Sequence, residues 1–422
     1  MERSKLEEFN QWWLSGRVDP DLALPFKRDN YAEISKAIAN RFVIALVGLR
    51  RTGKSTTMYQ IIDALLKQNV DGANLLFFSF DEETAGLGEV IDLYRDIHGK
   101  DFRSERVYVF LDEVQKCAGW ENELKKYYDL YPKIKFIVSG SESLFIRKKT
   151  KETLAGRLFE FTFATFSFGE YLRFNSIGEK EGRYETKIRP LFINFLEKGG
   201  FPESFSMTSD KEFKEYIRAL VVDKILYKDI PKTFGIDDPD LLRALLETIA
   251  TNPGIYIDYL SLSRQFGKDR RVIKSYISYL EQSFLIRILN NYRKNNVSSL
   301  RKRKRAYPVD SALIRLYKPT FDRSFFGRIV ESVAINASSA SYFWRNGIEV
   351  DMIRDGVPIE VKYQEQINRG DFKAISEFAS KFGAKEGIIV TKSDDRVAKA
   401  GNVRIKMIPA WKWLLQQKAV NQ

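Results

Sequence analysis

Gly48, Gly53, Lys54 and Ser55 stand in the spacing G-x-x-x-x-G-K-S, a set of residue types that can hold a nucleoside triphosphate. Two glycines let the backbone curl until several N–H groups point at one spot, where they cradle phosphate oxygens. A helix starting at the loop adds the partial positive charge of its first turn. Lys54 is expected to reach the β- and γ-phosphates and the Ser55 hydroxyl to hold Mg²⁺. The whole contact set is then Gly48, Leu49, Arg50, Arg51, Thr52, Gly53, Lys54, Ser55 and Thr56, with ATP and Mg²⁺ as cofactors. Such a loop calls for an acidic partner on a second strand. Arg106 to Glu113, reading R-V-Y-V-F-L-D-E, supplies it. Asp112 is expected to hold the Mg²⁺ through water, and Glu113 to polarise the attacking water.

The elements that must position these residues are visible as short apolar runs. Phe42–Val47 reads as a buried parallel strand ahead of the loop, and Thr56–Lys67 as the helix after it. Leu75–Phe80 is a second strand, closed by Asp81-Glu82-Glu83. Trp120–Leu130 reads as a helix. Ile134–Ser139 is a further buried strand, and Ser139 and Ser141 at its end are candidates to sense the γ-phosphate, or equally to cap the next helix. Asn30–Asn40 reads as a helix before the first strand. Lys27 and Arg28 are left open between nucleotide contact and plain surface charge, and Trp12 and Trp13 are assigned to packing.

Composition narrows the function classes. A chain of 422 residues has room for two to four domains. No apolar run has the length of a membrane span and the N-terminus lacks a signal-peptide pattern, so a cytoplasmic protein without a membrane partner is expected. The single Cys117 excludes an intramolecular disulfide and fits a reducing compartment. Cys117 and the single His98 cannot build a zinc site, and a His-based triad has no partners. A net charge of +13 points to a polyanion, nucleic acid first.

The ordered set Gly48-Leu-Arg-Arg-Thr-Gly-Lys-Ser, Leu111-Asp-Glu, Ser139-Gly-Ser, Leu154-Ala-Gly-Arg, Gly199-Gly-Phe-Pro-Glu203, Glu349-Val-Asp351 and Ile359-Glu-Val-Lys362 resembles the prokaryotic, often archaeal, AAA-family ATPases that carry a long carboxy-terminal region. The resemblance implies an α/β protein: a P-loop AAA+ parallel-sheet core, a helical lid, a winged helix-turn-helix and a nuclease-like α/β end. The corresponding boundaries are 1–24 for a lead-in, 25–165 for the core, 166–238 for the lid, 239–319 for the winged helix with a basic wing, and 320–422 for the last domain. From the residues alone Arg157 is better read as a surface arginine. The resemblance makes it the expected arginine finger, a group worth about three to five orders of magnitude in phosphoryl transfer. A finger acting in trans implies a homo-oligomer such as a ring. No second sensing arginine is identified, Arg218 being the weakest of suggestions.

The carboxy-terminal half carries two further patterns. Leu241–Ala250, Tyr259–Phe266 and Val272–Glu281 read as helices, followed by a strand at Phe284–Tyr292, which is the order of a winged helix-turn-helix. Lys268, Arg270, Arg271 and Lys274 open the third helix, where DNA-reading residues would lie. Residues 292–305 then hold Arg293, Lys294, Arg301, Lys302, Arg303, Lys304 and Arg305 and no acid, a composition suited to phosphate contact. A protein-interaction winged helix with a solvated basic loop is the bland alternative. Finally, Asp351, Glu360 and Lys362 form a D…E-x-K pattern that resembles the restriction-endonuclease-like fold shared with Holliday junction resolvases. Asp351 and Glu360 on neighbouring strands could share a Mg²⁺ with Glu331 as a further ligand, and Lys362, two residues from Glu360, falls on the same face to orient water. Cleavage is left open, since such folds also serve as inactive binding platforms.

The expected function is Mg²⁺-dependent ATP hydrolysis in an oligomer, coupled to binding or remodelling of DNA, junctions included. The alternatives are an ATP-regulated DNA nuclease, and an ATP-dependent signalling or defence switch with a protein partner.

Overall fold

In a computed structural model describing residues 1–140, 152–178, 185–293, 303–338 and 340–417, five apolar runs of the amino-terminal half form one parallel sheet. They are β1 (Val43–Gly48), β2 (Leu75–Ser79), β3 (Val107–Asp112), β4 (Ile134–Gly140) and β5 (Leu158–Phe163), in the order β2-β3-β4-β1-β5. Every residue of β1, β2 and β4 is buried. A sheet covered on both faces needs no alternation, which is why these strands read as unbroken apolar runs. Helix Lys54–Lys67 turns Met58, Ile61, Ile62 and Leu65 into a core shared with Ile44, Leu46, Phe77, Phe110 and Ile137. Trp12 and Trp13 pack as expected, their indole N–H groups donating to the Leu75 carbonyl at 3.1 and 2.8 Å.

Residues Met1–Ala164 make one unit and Thr165–Val420 the other. The second unit is organised on a nine-stranded sheet: β6 (Ile255–Ile257), β7 (Ile286–Asn291), β8 (Lys304–Pro308), β9 (Tyr342–Asn346), β10 (Ile348–Arg354), β11 (Val357–Lys362), β12 (Glu386–Thr391), β13 (Arg396–Ala400) and β14 (Val403–Pro409). Their order is β13-β14-β12-β11-β10-β9-β7-β8-β6. Helices Pro239–Thr251, Tyr259–Phe266 and Arg270–Gln282 precede the β7–β8 hairpin, the succession expected from sequence. The hairpin is not free-standing. β7 pairs in parallel with β9 through Asn290 with Tyr342 and Asn291 with Phe343, so one sheet runs through both expected carboxy-terminal domains.

One expectation needs correcting. The helices assigned to a lid over the nucleotide, Phe168–Phe174 and Glu185–Lys198, lie in the core of the second unit. Their Phe168, Tyr171, Ile188, Phe192 and Leu196 are buried with Ile329, Phe343, Met352 and Trp413. Apolar side chains recurring every three or four residues make a stripe that must find an apolar partner, and this sheet supplies it.

The Gly199-Gly200 break is also explained here. Gly199 is in the left-handed region at φ +77°, and a Cβ on it would fall 1.9 Å from Asp310 Oδ1. Asp310 is buried; its Oδ2 accepts from the Gly200 N–H at 2.9 Å and its Oδ1 from the Ala312 N–H at 2.8 Å. The glycines thus allow the chain to close on a buried carboxyl whose pKa burial pushes upward. We predict that Gly199→Ala, which adds both backbone strain and a steric clash, costs about 3 kcal/mol or more. Chemical denaturation followed by tryptophan fluorescence would measure it, and a loss below about 1 kcal/mol would contradict this account.

Candidate nucleotide site and carboxylate cluster

The glycine loop leaves β1 at the carboxyl edge of its sheet, beside the ends of β3 and β4. Gly48 passes so close to β5 that a Cβ would meet the Phe163 carbonyl oxygen at 2.2 Å. Gly53 is left-handed at φ +90° and precedes the first residue of helix Lys54–Lys67. The Lys54 side chain is buried and its Nζ donates to the carbonyls of Leu49 at 2.7 Å and Gly48 at 3.0 Å. Ser55 Oγ donates to Asp112 Oδ2 at 2.6 Å. Asp112 therefore meets the first turn of the helix that follows the loop, and Glu113 is the next residue in the chain. Glu113 itself has φ +54°, a conformation that costs a non-glycine residue about 1–2 kcal/mol and is characteristic of functional positions.

These groups fit Mg²⁺-ATP. A hydroxyl and a carboxylate share one point, a buried ammonium has carbonyls as neighbours, and a helix begins at the loop. Ser139 has a part that neither expectation named. Its hydroxyl, fully buried, donates to Asp112 Oδ1 and accepts the Glu113 N–H at 3.0 Å. It holds the two acids in place, a positioning part that a lone serine at a strand end does not announce. Ser141 lies outside the described residues. Arg28, left open from sequence, donates to the Thr52 carbonyl in the loop and to the Ala164 carbonyl at 2.9 Å, tying the loop to the end of β5. Arg50 reaches Asp81 at 3.3 Å.

Arg157 sits just before β5, whose far end pairs with Gly48. Six residues of strand, at about 3.3 Å each, put it about 20 Å from the loop of its own chain. Its guanidinium contacts Asp129 at 3.1 and 3.3 Å and lies over the Tyr128 ring.

In the second unit, helix Arg270–Gln282 buries Ile273, Tyr276, Ile277 and Leu280 and leaves Arg270, Arg271 and Lys274 exposed. Lys268 is exposed too but pairs with Asp238 at 2.7 Å. Arg303 is exposed and lies 3.8 Å from Asp258, while Lys304 is half-buried in β8. Lys294, Arg301 and Lys302 lie outside the described residues. Arg293 donates to the Arg345 carbonyl at 3.2 Å.

Arg305 is a clear correction. Expected on a basic wing, it is only 7% exposed and sits among carboxylates. Its Nη2 meets Glu331 Oε1 at 2.7 Å, and its Nη1 meets Glu349 Oε1 at 2.8 Å and Asp351 Oδ1 at 3.4 Å. The reason is periodicity: in β8 successive side chains alternate between faces, and a run of basic residues hides which one turns inward. Tyr307 adds a hydroxyl to Glu331 Oε1 at 2.7 Å. Next to this, Lys362 Nζ binds Glu360 Oε1 at 2.8 Å, and Asp351 Oδ2 accepts the Val361 N–H at 2.8 Å. Asp351, Glu360 and Lys362 are thus brought together on β10 and β11. The expected metal set of Glu331, Asp351 and Glu360 is not: among the described residues no three His, Cys, Asp or Glu are placed to hold a metal ion. A guanidinium lies between Glu331 and Asp351 instead.

The amino-terminal unit is a P-loop AAA+ core, and residues 40–172 match the family model described as an AAA domain. Residues 189–322 and 326–413 match two models described as domains of unknown function, DUF8612 and DUF4143. The chain is 24% identical to an uncharacterized protein of Haemophilus influenzae over 347 residues, covering 79% of this chain and 80% of the other. It is 25% identical to an uncharacterized protein of Methanocaldococcus jannaschii over 420 residues, covering 90% and 89%. Among solved structures it is similar to a single-residue variant of Thermotoga maritima RuvB (TM-score 0.32, 15% identity, 62% of this chain and 89% of that one). It is also similar to the Aeropyrum pernix Orc1 protein in complex with DNA (TM-score 0.34, 11% identity, 74% and 96%). Likenesses this distant say nothing of substrate. No helix among the described residues is long and apolar enough to cross a membrane.

The carboxylate cluster carries a pH dependence. Burial first, and the charge of Asp351 second, raise the Glu331 and Glu360 carboxyls, against the pull of Arg305 and Lys362. Burial raises the Glu349 carboxyl too, so Glu331, Glu349 and Glu360 hold protons more tightly folded than unfolded. The stability these groups lend is complete below the ordinary carboxylate pKa and is lost as pH rises through their folded values. We predict that the melting temperature of the second unit falls between about pH 5 and pH 8, and that Glu360→Gln flattens the fall. A wild-type melting temperature that rises across this range would contradict it.

Proposed function

We propose that the chain is a Mg²⁺-dependent ATPase that works as an oligomer and couples ATP hydrolysis to the binding or remodelling of DNA, branched DNA included. The observation that carries the reading is the 2.6 Å contact between Ser55 and Asp112 beside the buried Lys54, with Glu113 next in chain. When bound, Mg²⁺ supplies neutralising charge to the phosphates. Lys54 and the loop N–H groups bind and orient those phosphates. Asp112, held by Ser139, keeps its carboxylate on the Ser55 side, and Glu113 orients water and takes its proton.

Two observations support the rest. Arg157 lies about 20 Å from its own loop, so an arginine-finger role is open to it only on a neighbouring copy, which favours an oligomer. Arg270, Arg271 and Lys274 expose three cations over the first turns of one helix, and with a net charge of +13 this favours a phosphate backbone as partner.

ATP turnover measured with and without duplex, single-stranded and four-way-junction DNA tests the proposal. Stimulation by DNA supports it, whereas one constant rate with no DNA retention at low salt would transfer the reading to a switch with a protein partner. Lys54→Ala is expected to lose nucleotide binding, read by fluorescent-nucleotide titration; unchanged affinity would remove the loop from the site. Glu113→Gln is expected to keep ATP affinity while turnover falls roughly 10²–10⁴-fold. Arg271→Ala should weaken all DNA sequences alike and lower the slope of log affinity against log salt by about one.

A further inference from the structure

We infer that Arg305 is the resident cation of the carboxylate cluster, standing where a divalent metal would have to bind, so that this centre fastens the β7–β8 hairpin to the rest of the sheet and is not a Mg²⁺ nuclease. The guanidinium is fully engaged. Nε donates to the Gly254 carbonyl at 3.0 Å, Nη2 pairs with Glu331, and Nη1 pairs with Glu349 and Asp351. The surroundings are shaped for it. A Cβ at Gly254, which is left-handed at φ +81°, would fall 2.4 Å from Arg305 Nη2, so the glycine opens the place the guanidinium fills. The rings of Tyr307, Tyr256 and Phe343 lie 5.1, 5.8 and 6.0 Å from the guanidinium carbon, a cage that suits a planar, weakly hydrated cation and not a hydrated metal.

Oxygens of Asp351 and Glu360 that a metal would need already have partners. Asp351 Oδ2 accepts the Val361 N–H, Glu360 Oε1 holds Lys362, and Glu360 Oε2 accepts the Asp351 N–H at 3.3 Å. A divalent ion entering between Glu331 and Asp351 would meet a buried positive charge and would have to expel it. In the D…E-x-K pattern of this chain the carboxylates bind arginine and lysine. Glu331, which accepts from both Arg305 and Tyr307 of β8, joins Glu349 and Asp351 in holding that strand.

The test is Mn²⁺ titration of the full chain by calorimetry without nucleotide, together with incubation of duplex and four-way-junction DNA in Mg²⁺ and in Mn²⁺. Expected are no saturable Mn²⁺ binding that responds to Glu349→Gln, and no cut DNA. Arg305→Met is expected to gain a Mn²⁺ site, and adding Glu331→Gln should weaken that site by about tenfold or more. Stoichiometric Mn²⁺ binding by the wild type that Glu349→Gln abolishes would overturn the inference. So would metal-dependent cleavage lost in Lys362→Ala, or a folded Arg305→Met that gains no Mn²⁺ site. Should Arg305→Met not fold, the wild type beside Glu349→Gln, a half-exposed position, decides alone.

Discussion

The amino-terminal unit depends on β1 being hydrogen-bonded along both edges. With β4 on one side and β5 on the other, the strand cannot shift without breaking two ladders. The loop that leaves it is therefore fixed in space before any ligand is considered. β3 and β4 end alongside each other, so Asp112 and Ser139 fall together by register, and Ser55 meets Asp112 because its helix begins where the loop ends. Chemistry at this edge is a by-product of strand order. The small residues follow from the same crowding: Gly48 is required by the approach of β5, and Gly53 by a left-handed turn.

Much of this is readable in the residues, and the reasons are specific. Buried parallel strands are continuous apolar runs, so β1 to β4 announce themselves, and the phosphate loop has a spacing that few other structures need. β10 and β11 are readable for another reason, their alternation and the Asp355-Gly356 turn between them. What is hidden shares one cause: a side chain's environment is set by long-range contacts that local pattern does not encode. β8 reads as part of a basic loop, because Lys304-Arg305 looks solvated until Glu331, Glu349 and Asp351 arrive from residues 26 to 46 positions away. The helices at Phe168–Phe174 and Glu185–Lys198 are legible as helices but not in their placement, since an apolar stripe says that it must be covered and not by what. Ser139 and Arg28 stand out in the sequence only as candidates near the nucleotide; the fold reveals that they brace the acids and the loop.

Buried charge is used in the two units in different ways. Near the phosphate loop the lysine is ringed by carbonyl oxygens, an arrangement suited to an ammonium that exchanges these partners for phosphate. In the second unit the arginine is ringed by carboxylates and aromatic faces, which leaves nothing for it to exchange. Breaking a buried pair of the second kind leaves an uncompensated charge, so such pairs act as fasteners more than as reagents.

The junction between β7 and β9 rests on two residue pairs, a slender seam for a nine-stranded sheet. Two arginines rivet it. Arg305 reaches across from β8, and Arg287 on β7 donates to the carbonyls of Ile335, Ser338 and Ala340 at 2.9, 2.8 and 2.6 Å. Cohesion here is shared between these side chains and two backbone hydrogen bonds, Asn290 N–H to the Ser341 carbonyl at 3.0 Å and Tyr292 N–H to the Phe343 carbonyl at 2.7 Å. A seam this short leaves the two guanidinium groups making contacts that a longer ladder would have made between amides.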